Sequence, residues 1–335
     1  MKNLLTDIEG IKVGHAHDEI LASGATAIIF ETPAIAALDI RGGGPGTRDS
    51  ALLNLANTVE RIDGLALSGG SAFGLETGGG VQAWLAEQGR GFAIGEARVP
   101  IVPGAVVFDL LNGGNKKWGR FPPYRDLGFE AATNATDGVF TLGNCGAGFG
   151  ATTANFKGGL GSASATTREG VKVAALAVVN AVGTVTVGNG PWFWSAPFEQ
   201  NGEFGGRGLP QTFTPEMLAP CLKGADRAIA GENTTLVIVA TDAALTKPQA
   251  RRLAILAQTG FARAIYPAHA PLDGDIVFAV SIGDKPVSPL YGLTELGTEA
   301  ANVVARAIAR GVYEGRTLPF TGALPAWRDH YGFDV

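Results

Sequence analysis

The chain has 335 residues, 46% of them hydrophobic and 17% charged, with a net charge of −5. It can bury one large core or two medium ones. Its weak acidic balance, with no long basic or acidic run, argues against nucleic-acid or anionic-membrane partners. No stretch approaches about 20 uninterrupted apolar residues, which excludes a transmembrane helix.

Forty-nine glycines without a collagen period, interrupted by apolar runs, imply tight turns and close backbone approaches rather than disorder. The segment Met1–Asp7 lacks an apolar signal region, and there are two cysteines, Cys145 and Cys221. Reduced thiols in a cytoplasmic protein are expected.

In chain order, Ile11–His15 and Gly24–Phe30 read as strands. His15 and His17 form an H-x-H pair without a companion cluster, so a turn pair is the better reading than a zinc site. A glycine loop at Arg41–Thr47 leads to an expected helix at Ser50–Val59. A strand from Gly64 ends in a second glycine loop, Ser68–Ser71, followed by an expected helix from Phe73 to Gln88. Gly78, Gly79 and Gly80 inside that helix predict very close approach to a neighbour, because glycine there costs about 1 kcal/mol against alanine. Ala105–Leu111 reads as a strand or buried segment, Asn112–Pro123 as a loop and Asp126–Ala135 as a helix. Val171–Gly183 reads as a long strand, Gly188–Pro210 as a long aromatic loop and Pro215–Leu222 as a short helix. A buried strand follows at Leu236–Thr241, then a helix capped by Thr246 and running to about Thr259, a strand at Ile276–Val280 and a last helix at Leu293–Arg310.

Neither early glycine loop carries a Gly-Lys-Ser/Thr ending, and no Gly-x-Ser-x-Gly elbow surrounds Ser71. Gly146–Ala151 fits Gly-x-Gly-x-x-Ala, with Glu169 18 residues beyond Ala151, but no good helix follows. A non-catalytic nucleotide-binding protein using this loop is the rival reading.

The stretch Gly231-Glu232-Asn233-Thr234-Thr235 enters the 236–241 strand directly. It is either an ordinary turn or a nucleophile site. A threonine hydroxyl needs a base. Cutting the chain before Thr234 would free an α-amine with a pKa of roughly 7.7–8.0, which can take that proton near neutral pH. Asn180 ends an apolar run and is either a satisfied buried amide or an oxyanion donor. Lys157, among glycines, is either solvated or buried with a lowered pKa. Asp273-Gly274-Asp275 is either a plain turn or a carboxylate pair in which one pKa rises and a proton can be held.

Arg41–Thr47, Leu67–Leu75, the Gly146–Lys157 loop, Asn180, Asn233–Thr235 and Asp273–Asp275 occur in that order. Together they resemble the DmpA-type aminopeptidases, which include L-aminopeptidase/D-esterases, β-peptidyl aminopeptidases and nylon-oligomer endo-hydrolases. The resemblance covers nearly the whole chain. It implies a single-domain α/β fold, an αββα sandwich of two sheets flanked by helices. It also implies a precursor that cuts itself between Asn233 and Thr234 into residues 1–233 and 234–335. Thr234 would be the nucleophile, Asn180 the oxyanion donor, Asp273 and Asp275 the groups that orient and balance the amine, and Lys157 the holder of the local field. The β-peptidyl branch has a serine nucleophile with a serine and a glutamate beyond it, so threonine with Asp-Gly-Asp is closer to the nylon-oligomer branch. That branch carries a tyrosine near the site. Here Phe108 stands in that place and cannot donate a hydrogen bond. The resemblance implies no metal or organic cofactor, a small peptide or amide substrate, and a homotetramer of cut protomers.

Overall fold

The computed structural model describes residues 1–224 and 233–332. Its strands are β1 (Ile11–Asp18), β2 (Ser23–Ile40), β3 (Thr47–Arg48), β4 (Arg61–Ser68), β5 (Phe92–Ile94), β6 (Ala97–Val99), β7 (Gly104–Val106), β8 (Gly159–Thr166), β9 (Lys172–Asn180), β10 (Thr234–Ala243) and β11 (Ile276–Lys285). Its α-helices are α1 (Thr77–Glu87), α2 (Tyr124–Thr133), α3 (Lys247–Ala257), α4 (Thr259–Ala262), α5 (Tyr291–Tyr313) and α6 (Trp327–Tyr331).

Alternation along the strands builds three cores, hence four layers. In β10, Leu236, Ile238 and Ala240 point into a central core, where they meet Ile28, Leu65 and Leu67 of β2 and β4. Val237 and Val239 point the other way, onto Leu253 of α3, Phe261 of α4 and Val304 and Ile308 of α5. On the far side, Ala25, Ala27 and Ile29 of β2 turn toward Val81 and Leu85 of α1 and Leu127 and Ala131 of α2. The order is therefore helix, sheet, sheet, helix, as the resemblance implies.

The two sheet layers are hydrogen-bonded into one nine-stranded sheet, with a separate β5–β6 hairpin. The reason is β2, whose first half pairs with β1 and whose second half pairs with β11. Its register shifts between Ile29 and Ala34, around exposed Glu31, Thr32 and Pro33. Proline lacks the ladder donor, so the strand bends there and passes from one layer to the other.

The expected helix at Ser50–Val59 is a single 3-10 turn, Ser50–Leu53. Lys247 Nζ pulls the following carbonyls away from helical partners, accepting positions being Leu52, Asn54, Asn57 and Val59 at 2.8–3.2 Å. The expected helix at 215–222 is only turns. The expected helix 73–88 begins as a 3-10 segment, Ser71–Glu76, before α1. Its glycines do serve close approach: a Cβ on Gly80 would lie 1.9 Å from the Arg125 carbonyl of α2. The aromatic loop after Gly188 feeds the core. Phe193 and Phe204 join Trp327 of α6 in the helix-side core. No helix among the described residues is long and apolar enough to cross a membrane.

Candidate active site

Three neighbouring strands bring their ends to one place. β10 and β11 are parallel, so their N-terminal ends coincide, and β9 is antiparallel to β10, so its C-terminal end joins them. Thr234 opens β10, Asn180 closes β9 directly opposite it, and Asp273-Gly274-Asp275 leads into β11. Directly opposed residues in an antiparallel pair face the same side. For Thr234 and Asn180 that side is the central core, as it is for Leu236 and Val178.

Thr234 is buried, and its Oγ1 donates to the Asn233 carbonyl at 2.5 Å. The same carbonyl accepts the Gly274 N–H at 2.7 Å. The peptide group before Thr234 is thus polarised by a backbone donor while the hydroxyl lies against it. A Cβ on Gly274 would sit 2.5 Å from Thr234 Oγ1, so only glycine fits between the two aspartates. The glycine loop at 41–44 braces this turn: the Gly44 N–H donates to the Asp273 carbonyl at 2.7 Å and the Arg41 N–H to the Asp275 carbonyl at 3.0 Å.

The carboxylates are divided in task. Asp275 accepts the Thr235 N–H on Oδ1 at 2.7 Å and, on Oδ2, His269 Nδ1 at 2.9 Å and the His269 N–H at 3.1 Å. Asp273 Oδ2 accepts the Ala270 N–H at 2.7 Å, while its Oδ1 is buried without a partner among the described residues. Burial, then the nearby Asp275 charge, push the Asp273 carboxyl up to about 7. Of the two carboxyls, Asp273 is the one whose surroundings favour the protonated form.

Lys157 is buried, and its three N–H groups are all used, on the carbonyls of Gly148, Ala151 and Gly158 at 2.8–3.1 Å. Burial pushes it down to about 7. The 146–151 loop is therefore turned toward this ammonium. It forms a 3-10 turn, Gly146–Gly148, and no helix follows it, which removes the basis for a dinucleotide fingerprint. Phe108 is half-buried and contributes its carbonyl, which accepts Asn180 Nδ2 at 3.1 Å. Next to it, Asp109 is held by Ser23 Oγ at 2.6 Å and the Gly70 N–H at 2.7 Å, and burial raises its pKa.

Lys223, His269 and the Gly274 N–H went unassigned in the sequence. Each is a lone residue whose partner lies far away or in the backbone. The His15–His17 pair makes no site: His15 Nδ1 meets Thr26 Oγ1 at 3.0 Å and His17 stacks on Phe149. Among the described residues no group of three or more His, Cys, Asp or Glu could hold a metal ion.

A family model, peptidase family S58, matches residues 3–323. The chain belongs to peptidase family S58. With that family go peptidase or amidohydrolase activity and peptide or amide substrates. An uncharacterized aminopeptidase of Mycobacterium bovis is 41% identical over 350 residues, covering 98% of each chain. A 6-aminohexanoate-oligomer endohydrolase of Kocuria sp. is 29% identical, covering 92% of this chain and 85% of its own. Among solved structures, a β-aminopeptidase of Burkholderia sp. superposes with a TM-score of 0.69 at 20% identity, over 98% of this chain and 91% of its own. The L-aminopeptidase D-Ala-esterase/amidase of Ochrobactrum anthropi, described as a variant of the Ntn hydrolase fold, gives 0.68 at 20% identity, over 95% and 87%. This S58 member thus shares the Ntn hydrolase fold.

The shifted groups predict how stability depends on pH in the uncut chain. Asp273 has a folded pKa raised from 3.8 to about 7, so its stabilising contribution is complete below 3.8 and is lost as pH rises through about 7. Lys157 has a folded pKa lowered from 10.5 to about 7, so its penalty is complete below about 7 and fades as pH approaches 10.5. In a Thr234→Ala background, Asp273→Asn should flatten the fall in melting temperature as pH rises from about 4 to about 7, and Lys157→Met should flatten the rise between about 7 and 10.5. Unchanged melting profiles in both variants would contradict these environments.

Proposed function

We propose that this S58 member is a self-processing amidohydrolase whose mature nucleophile is Thr234. The observation that carries the reading is the Asn233 carbonyl held between the Thr234 hydroxyl and the Gly274 N–H. In the cutting step, Thr234 Oγ1 attacks the Asn233 carbonyl carbon and the C–N bond breaks. An ester forms, and the former peptide nitrogen leaves as the Thr234 amine. Water then opens the ester. The products are 233 and 102 residues long (335 − 233). The freed amine now accepts the hydroxyl proton, so Thr234 can attack the carbonyl of a small peptide, amide or ester, and the amine later returns that proton to the leaving group.

Asn180 donates to the oxyanion in this reading. Asn180→Ala is expected to lower kcat for chromogenic aminoacyl amides by about 10²–10³-fold with little change in KM. An unchanged kcat would remove it from that role. Asp273 and Asp275 orient the new amine, and Lys157 sets the field from its carbonyl cage. Phe108 carries no hydroxyl, so no step here uses a phenol. A cytoplasmic homotetramer of cut protomers belongs to the same reading. N-terminal sequencing of the smaller fragment should begin Thr-Thr-Leu-Val-Ile; any other terminus displaces Thr234 as the nucleophile.

A further inference from the structure

Lys223 has no role in the mechanism above, yet it touches the site. It lies ten residues before Asn233 in the chain (233 − 223). Its backbone N–H donates to the Val182 carbonyl at 2.8 Å, which ties it to the turn after β9. Its Nζ donates to Asn180 Oδ1 at 2.9 Å and to the Thr152 carbonyl at 3.0 Å. Asn180 Oδ1 also accepts the Thr152 N–H at 3.0 Å.

A side-chain amide has one end that only accepts and one that only donates. Two donors, Lys223 and the Thr152 N–H, hold the accepting end of Asn180 on their side. The donating end must then point away from them. One hydrogen of Nδ2 goes to the Phe108 carbonyl at 3.1 Å. The second hydrogen is the one left for a developing oxyanion. Without Lys223, one backbone N–H would be the remaining donor on Oδ1. Other charged groups face Lys223: Asp273 before β11, Asp109 beside Phe108, and Lys157 in its carbonyl cage.

The geometry points to Lys223 as a positioning residue for self-cutting, which fixes the orientation of the Asn180 amide opposite Thr234 and so keeps an N–H available at the reacting carbonyl. This rests on the self-processing reading above. Lys223 acts through Asn180, so its effect depends on Asn180 being present.

The test follows conversion of pulse-labelled full-length chain into its two fragments after cell-free synthesis. Lys223→Met should slow cutting about tenfold or more, the scale of one lost charged hydrogen bond. Lys223→Gln keeps a donor and should fall between the Met variant and the wild type. The double variant Lys223→Met/Asn180→Ala should cut no more than about twofold slower than Asn180→Ala alone, since the two act as one unit. A purely structural lysine would instead give slowdowns that multiply. Multiplying effects, or wild-type cutting by a folded Lys223→Met chain, overturns the inference. If the Met variant fails to fold, the Gln variant carries the same comparison with Asn180→Ala. A wild-type chain that never cuts overturns both this inference and the self-processing reading; a wild-type chain that cuts beside an unaffected Lys223 variant overturns this inference alone.

Discussion

Thr234→Ala is expected to yield one uncut chain of 34.4 kDa with no measurable amide hydrolysis. The substitution removes the Thr234 hydroxyl, which lies 2.5 Å from the Asn233 carbonyl oxygen and is the proposed attacking group. It leaves the Leu236–Ala240 run, and hence the fold, untouched. In the proposed mechanism both activities disappear together, because the base would be the amine that cutting creates. The loss should exceed about 10³-fold, the scale on which removal of a nucleophile is felt. Thr234→Ser keeps the hydroxyl and should still give two fragments. A denaturing gel separates the outcomes, and two fragments from the alanine variant would refute the assignment.

Gly274→Ala should slow cutting about 10²-fold without removing any reacting group. Its added Cβ would lie 2.5 Å from Thr234 Oγ1, 3.0 Å from the Gly44 carbonyl oxygen and 3.2 Å from Thr234 Cγ2. At 2.5 Å something must shift, so the hydroxyl turns from the carbonyl or the Gly274 N–H loses it. A displacement of about 1 Å in a reacting group can cost 10²-fold. Cutting should then be slower by that factor, with the melting temperature lowered but cooperative unfolding retained. Wild-type cutting by this variant would mean that the close approach at Gly274 is not part of the reacting geometry.

Strand β10 was legible because an apolar, β-branched run fills both of its faces, and both faces are buried. Around it, Asn180 and Thr234 drew attention as single polar positions at the edges of such runs, Asp273 and Asp275 as a pair before another, and Lys157 as a lysine among glycines. Their convergence was not, because it depends on β9 being antiparallel and β11 parallel to β10. Strand β8 escaped notice: Gly159–Thr166 is built from small residues that carry little strand signal. Its smallness has a cause in the fold. A Cβ on Gly161 would lie 1.9 Å from the Ala307 carbonyl of α5, so the helix sits almost on the strand backbone. The second half of β2 was hidden by Glu31, Thr32 and Pro33, which read as a stop but act as a bend. Lys247 overrode local helix preference at 50–59 from far along the chain, and Lys223 reaches Asn180 in the same way. Such contacts leave no local pattern. The segment before the proposed cut, residues 225–232, lies outside the described residues, and the Gly231–Glu232 part of the expected turn falls there.

Intact mass of freshly purified wild-type protein reports most directly on whether the bond between Asn233 and Thr234 is broken by the chain itself. The account predicts two species, residues 1–233 and 234–335, whose masses sum to that of the full chain plus one water, with neither seen in the Thr234→Ala variant. A single full-length species that hydrolyses amide substrates would contradict it.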